Sequence, residues 1–235
     1  MSLFKNKYIA HRGFHHNKLI PENSLLAFKK AIENNYSVEF DINITNDNKI
    51  VVFHDENLYR LCNKKENIEE VKYSFLKDLN LYETDEKIPL LEEVLSLVNG
   101  KITLIIEIKK HKNIGLLEEI VFQLLGKYKG EYFLCSFEKD ILIYLKTSRL
   151  NHKIGLIFES LPNNFRKYEK ILFLYRFFKV KPDFVSLDEK LLDSSIYIFC
   201  KKKGIEIITW TIKNKNRYEE IAKKVDGIIF ENFLI

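Results

Sequence analysis

Glu39 and Asp41 alternate with Val38, Phe40 and Ile42 in the run VEFDI. That is strand period two, so both carboxylates leave the same face, roughly 7 Å apart along the chain. Two such groups pointing inward repel unless one is protonated or a cation lies between them. Oxygen ligands on a rigid strand suit a hard cation such as Mg²⁺ or Ca²⁺. A salt bridge to lysine or arginine on a solvated face is the plainer alternative. The run LIIEIK then places Glu107 and Lys109 at i and i+2, near the end of an otherwise apolar strand. A glutamate there needs a partner. It is either a third oxygen ligand beside a fixed positive charge, or half of an ion pair with Lys109.

His11 in AHRG and His54 in FHD each close an apolar run. One histidine in such a place is commonly a hydrogen-bonded structural residue. Two, beside a cluster of acids, suit a general acid and a general base. Arg12 follows His11 at once, and its fork matches the oxygens of a phosphate. Gly13 lets the chain leave the strand sharply. His15, His16, His111 and His152 lie in polar loop contexts and receive no role. A cation site, a guanidinium and two proton carriers are the parts needed to split a phosphodiester.

These residues need a scaffold that brings strand ends together. Short β-rich runs recur at 7–11, 38–42, 101–109, 131–137, 153–159, 183–188, 205–211 and 226–230. Helical stretches are expected between them: from near Asn23, with Leu25, Leu26, Phe28 and Ile32 as its stripe, then at 138–149, 163–179, 193–203 and 214–224. The strand IVVFHD (50–55) breaks the alternation. Only about five residues precede it, too few for a parallel crossover, so it must turn back as a hairpin through Asn46, Asp47 and Asn48. Setting it aside leaves eight strands alternating with helices, which predicts a (β/α)8 TIM barrel with an extra hairpin strand after the second barrel strand. A doubly wound open sheet is the alternative. Active sites of such barrels lie at the carboxyl ends of the strands, where His11, Glu39, Asp41, Glu107 and His54 all fall. Residues 56–90 are polar, with a short helix near 68–79, and read as a small insertion at one end. No linker or low-complexity segment divides the chain, so residues 1–235 are expected to form a single domain.

The chain's 46% hydrophobic and 30% charged residues fit a soluble globular protein. Its net charge of +5 is spread along the chain and is weak evidence for a nucleic-acid partner, which is not expected. Cys62, Cys135 and Cys200 are far apart and match neither a disulfide framework nor a metal-binding pair. With no apolar leader at MSLFKNKYIAHRG and no apolar run near 20 residues, a cytoplasmic protein is expected.

Six fragments carry a further signal: HRG at 11–13, PENSLLAF at 21–28, VEFDI at 38–42, VVFHD at 51–55, IEIK at 106–109 and TWT at 209–211. In this order, over nearly the whole chain, they resemble the glycerophosphodiester phosphodiesterase family, whose TIM barrel is shared with phosphatidylinositol-specific phospholipase C. The resemblance implies hydrolysis of small glycerophosphodiesters to an alcohol and sn-glycerol 3-phosphate, with a divalent cation. It implies His11 and His54 as the acid/base pair, and Glu39, Asp41 and Glu107 as metal ligands. Arg12 and Lys109 would hold phosphate. Glu22 and Asn23, from the PEN signature, would brace the first loop, although Asn23 also reads as a helix cap. Trp210 would line the pocket against the glycerol, or else be a core aromatic at the end of an inward strand.

The chain departs from the family in two places. Members often close with an Asp-x-x-Pro-like turn after DGI, whereas this chain reads DGIIFENFLI, with Glu231 near the acid's place and no proline. The segment after HD, ENLYRLCNKKENIEE, is short and unusual but keeps Arg60. Two other functions remain as alternatives. A lysophospholipase D-type enzyme would use RKYEKILFLYRFFKVK (166–181), which interleaves basic and large apolar residues, at a membrane. Membrane contact is the disfavoured reading, because one barrel helix with a core stripe of Ile171, Leu174, Tyr175 and Phe178 accounts for the segment. A non-catalytic phosphoester-binding barrel should have lost a histidine or an acid, and all five positions are filled.

Overall fold

The computed structural model describes residues 3–147 and 152–235. In chain order its elements are β1 (Tyr8–His11), α1 (Leu25–Glu33), β2 (Ser37–Ile44), β3 (Ile50–Val52), α2 (Tyr59–Cys62), α3 (Tyr73–Leu76), α4 (Leu91–Val98) and β4 (Leu104–Ile108). They continue with α5 (Leu116–Leu125), β5 (Tyr132–Ser136), α6 (Lys139–Leu145), β6 (Lys153–Phe158), α7 (Arg166–Val180), β7 (Phe184–Asp188), α8 (Ser195–Lys203), β8 (Glu206–Ile212), α9 (Lys215–Ile221) and β9 (Gly227–Phe230). Eight parallel strands run in the order β1-β9-β8-β7-β6-β5-β4-β2, and β1 pairs with β2 to close the ring. Strand β3 lies outside it, antiparallel to β2. The fold is a (β/α)8 barrel with one added strand, as the alternation of the sequence predicts. Among the described residues no helix is long and apolar enough to cross a membrane.

Strand alternation sorts side chains into two layers. Val38, Phe40, Ile42, Leu104, Ile106 and Ile108 face outward into the cluster shared with the helices. Ile9, Ile105, Phe133, Ile157, Phe184, Ile208 and Ile229 fill the barrel interior. Phe4 plugs its amino-terminal end, 4.9 Å from the Phe133 ring and 5.2 Å from Phe184. Gly155 makes room for this layer, because a Cβ there would meet the Phe184 ring at 2.2 Å. The polar residues of the same inward rows, Glu39, Asp41 and Glu107, occupy the carboxyl end. Residues 56–90 wrap a satellite core made by Val51, Phe53, Leu58, Leu61, Ile68, Leu76, Leu81 and Ile88. Within it the helix expected over 68–79 resolves into a 3₁₀ turn at Ile68–Glu70 and the single turn of α3.

Two helix readings are corrected. Helix α1 is capped by Ser24, whose hydroxyl accepts from the Ala27 N–H at 3.1 Å. Asn23 is therefore not the cap. The face of α1 buried on the barrel is Ala27, Phe28 and Ala31, with Leu25, Leu26 and Ile32 at its margins. Small alanines permit close approach: Gly13 packs on this helix so tightly that a Cβ would lie 2.8 Å from the Ala27 Cβ. In α7 the buried stripe is Phe173, Phe177 and Val180, while Ile171, Tyr175 and Phe178 face solvent and Leu174 is half-buried. This helix is apolar on two sides, so its period could not choose between them. The aromatic rings decide: Phe173 meets Phe158 of β6 at 5.2 Å, and Phe177 meets Phe199 of α8 at 5.3 Å. The remaining helices are shorter than expected at their ends, and positions 148 and 149 of the stretch 138–149 lie outside the described residues.

Candidate active site

The strand registers assemble the site. His11 of β1 stands opposite Glu39 of β2, and Asp41 of β2 stands opposite Glu107 of β4. One carboxylate oxygen from each of Glu39, Asp41 and Glu107 lies within 4.8 Å of the others, and all three residues are buried. They line a cavity of about 90 Å³ with His11, Arg12, His54, Lys109 and Trp210. A larger hollow of about 900 Å³ lies at the other end of the barrel, between the amino-terminal segment and the residues leading into β2 and β4. Lysines, asparagines and Asp226 line it, whereas His11, His54 and the three clustered acids all line the smaller cavity.

The electrostatics of the three acids are unequal. Burial pushes Glu39 well above the usual carboxylate range, and the charges of Asp41 and Glu107 push it further. Burial and Asp41 also raise Glu107. Asp41 goes the other way, to about 2: burial opposes its charge, but Lys109 and Arg12 more than offset that cost. The Lys109 ammonium lies 2.7 Å from Glu107 Oε1 and 3.4 Å from Asp41 Oδ1. Arg12 Nε is 3.4 Å from Asp41 Oδ2, and the Asn23 amide donates to the same oxygen at 3.0 Å. Protein cations thus neutralise Asp41 but leave the group short of positive charge. An all-oxygen set of buried acids with that deficit fits a hard divalent cation. The neighbouring Cys135 thiol is pushed up by burial and by the same three acids, so it stays protonated and is no nucleophile.

Each histidine leans on a carboxylate. His11 Nδ1 lies 2.6 Å from Glu231 Oε2. Burial opposes the Glu231 charge, yet His11, His15 and Lys213 hold this acid far below the usual range. A carboxylate can only accept, so the proton of a neutral His11 sits on Nδ1 and its Nε2 is left as an acceptor, 3.9 Å from Glu39 Oε2. Burial lowers the His11 pKa, outweighing the pull of Glu231. His54 Nδ1 lies 2.7 Å from Asp55 Oδ1, and Arg60 donates to both Asp55 oxygens at 2.7 and 3.0 Å. His54 is two residues past the end of β3; the Phe53 N–H still donates to the Asp41 carbonyl at 3.0 Å, which carries the histidine back over the site.

Glu22 braces the opposite wall. It accepts from Arg12 Nη1 at 2.7 Å and from both terminal nitrogens of Arg60, each at 2.7 Å. Arg12 sits at φ +52°, with its carbonyl accepting from the Asn23 N–H at 2.8 Å. The unfavourable backbone is held by contacts on both sides. Arg12 Nε remains buried without a hydrogen-bond partner. Trp210 is anchored and lines the cavity: its indole N–H donates to the Ser186 carbonyl at 3.2 Å, and its ring packs edge-on against Phe137 at 5.7 Å.

The structure therefore brings together every residue singled out from the sequence. It adds four whose parts were not read there: Glu231, Asp55, Arg60 as the clasp on Glu22, and His15, whose Nε2 is 3.5 Å from Glu231. Asp55 was visible as the neighbour of His54 in VVFHD, and Glu231 as the acid after DGIIF. His15 carries no local signal, because only the fold carries that loop back over β9.

Comparison with known proteins identifies the family and the fold. The family model for the glycerophosphoryl diester phosphodiesterase family matches residues 11–234. A glycerophosphodiester phosphodiesterase of Caldanaerobacter subterraneus subsp. tengcongensis is 30% identical, over 97% of this chain and 95% of its own. The crystal structure of a glycerophosphodiester phosphodiesterase from Thermotoga maritima, 30% identical, superposes with a TM-score of 0.77 over 96% of this chain and 94% of that one. A phosphodiesterase of Oleispira antarctica, solved with sn-glycerol-3-phosphate, shares the fold at a TM-score of 0.84 and 20% identity, covering 97% and 93% of the two chains.

Proposed function

The chain belongs to the glycerophosphoryl diester phosphodiesterase family of phosphoric diester hydrolases, and on that premise we propose that it hydrolyses glycerophosphodiesters to an alcohol and sn-glycerol 3-phosphate. Residues 1–235 act as one catalytic domain, dependent on Mg²⁺ or Ca²⁺. The observation that carries this reading is the convergence of three buried carboxylates, two carboxylate-held histidines and two cations at one end of the barrel. Glu39, Asp41 and Glu107 hold the metal. Bound there, a divalent cation supplies Lewis-acid polarisation of the phosphoryl group and offsets its developing charge.

The chain's own groups do the rest. Arg12, whose Nε makes no hydrogen bond, and Lys109 donate to the non-bridging phosphoryl oxygens. Neutral His11, its Nδ1–H given to Glu231, takes the proton of the attacking oxygen at Nε2. His54, acting as the imidazolium with its Nδ1–H held by Asp55, delivers its Nε2 proton to the departing alcohol oxygen and is left neutral. The burial that keeps His11 unprotonated fits it for the first task. Trp210 offers an apolar wall to the glycerol carbons.

A panel of glycerophosphodiesters and lysophospholipids, with coupled detection of sn-glycerol 3-phosphate, tests the reading. Turnover of the soluble diesters should require Mg²⁺ or Ca²⁺ and stop with EDTA. His11→Ala and His54→Ala should each lose about 10²–10⁴-fold in kcat while melting like the parent. Full activity in metal-free enzyme would overturn the metal assignment. Lysophosphatidate released from lysophospholipids, with no glycerol phosphate from any diester, would move the reading to phospholipase D-type cleavage.

A further inference from the structure

Helix α7 carries two apolar stripes. Phe173, Phe177 and Val180 are buried on the barrel. Tyr168, Ile171, Tyr175 and Phe178 are between 49% and 68% exposed. At 3.6 residues per turn, these four fall within roughly 80° of arc, on the side opposite the buried stripe. Their spacing, i, i+3, i+7, i+10, is that of a helix face built to be covered. A solvated barrel helix needs only the inner stripe, and a second contiguous one marks an interaction surface.

The borders of the outer stripe are basic. Lys167 flanks it on one edge and Lys179 on the other. Residues 166–181 hold six basic side chains and one acid, against a balance of +5 for the whole chain. The one acid, Glu169, is turned from the stripe and accepts from the Leu161 N–H at 2.8 Å. The adjoining α8 exposes Ile198 and ends in Lys201, Lys202 and Lys203, all exposed. Lys167 lies 4.9 Å over the Tyr168 ring, joining charge and aromatic surface at the stripe's first turn.

We propose that this face of α7 docks on an anionic phospholipid bilayer, with the helix lying in the plane of the headgroups. An apolar stripe between lysines suits that surface: the side chains reach the acyl boundary while the ammonium groups meet lipid phosphates. A second copy of the chain fits worse, because pairing through the stripe would set lysine borders against each other with almost no acid to answer them. The loop before α7 leaves the carboxyl end of β6, so the Tyr168 end of the stripe lies toward the mouth of the site. The docking is independent of the catalytic reading, since the stripe contains none of the site residues.

Flotation with phosphatidylcholine vesicles, with and without phosphatidylglycerol, tests the surface. The full chain should float with the anionic vesicles, stay at the bottom with the neutral ones, and be released by salt. Ile171→Ser/Phe178→Ser and, separately, Lys167→Glu/Lys179→Glu should each cut partitioning at least about tenfold. Both variants should keep the parent's circular dichroism melt and its hydrolysis of a soluble diester, and the charge variant stands alone should the apolar one not fold. No flotation with anionic vesicles, or flotation indifferent to the charge variant, would overturn the proposal. So would a concentration-dependent dimer, seen by light scattering, that Ile171→Ser/Phe178→Ser dissolves, because the stripe would then be covered by a second copy.

Discussion

Glu231 accepts the Nδ1–H of the neutral His11 ring and so fixes which of its nitrogens carries the proton. Its oxygen, 2.6 Å from Nδ1, leaves Nε2 as the basic nitrogen of this ring. Replacing it with alanine should free the ring to take either tautomer and to tilt. We expect Glu231→Ala to lower kcat about a hundredfold with KM for a glycerophosphodiester nearly unchanged, because no substrate contact is lost. Nitrogen NMR of the His11 ring should show the Nδ1–H signal replaced by a tautomer mixture; an unmixed Nδ1–H form with parental kcat would refute the role. Residue types alone revealed the acids and histidines, since charge on an inward strand row is costly to bury unless a partner or a bound ion answers it. They could not reveal this partnership, because His11 and Glu231 lie 220 residues apart in sequence and meet only when β1 pairs with β9.

Among the elements, the strands were legible and the helix faces less so. A parallel barrel strand buried on both sides reads as a dense apolar run, and LIIEI or DFVSLD declares itself without help from its neighbours. Helix α7 has apolar residues around most of its circumference, so only packing of Phe173 and Phe177 against β6 and α8 assigns the inner side. The turn between β4 and α5 hides a further device. Glu118 accepts from the Gly115 N–H at 2.7 Å and lies 3.2 Å from His111 Nε2, with both side chains buried. Burial works against each charge, but the partnership wins, lowering Glu118 from its ordinary 4.5 and raising His111 from 6.5. The Glu118 contribution to stability is therefore complete above pH 4.5 and lost as pH falls through its lowered value. That of His111 is complete below 6.5 and lost as pH rises through its raised value. Melting temperatures of Glu118→Gln should fall furthest below the parent between these limits, by the equivalent of about 1–3 kcal/mol. A deficit that keeps growing up to pH 9 would contradict the pairing.

For the molecule as a whole, the site is a burden on the fold until its charge is answered. The barrel holds Glu39, Asp41 and Glu107 together in an apolar frame, with Lys109 and Arg12 as the cations closest to them. Glu39 is the least compensated: its charge is opposed by burial and by both neighbouring acids, and Arg12 relieves it only in part. Neutralising it should stabilise the metal-free protein, so Glu39→Gln is expected to melt higher than the parent by about 1 kcal/mol equivalent. Divalent cation should have the opposite ranking. At about a hundred times its dissociation constant, Mg²⁺ or Ca²⁺ should stabilise the parent by about 2.7 kcal/mol and shift Glu39→Gln far less, because the variant has lost one of three anionic ligands. The two melting curves should therefore cross as metal is added, and activity should be confined to the protein that gains stability. Parallel shifts in parent and variant would place the cation elsewhere on the surface. A parent that melts above Glu39→Gln without metal would mean that the lysine and arginine already balance the three acids.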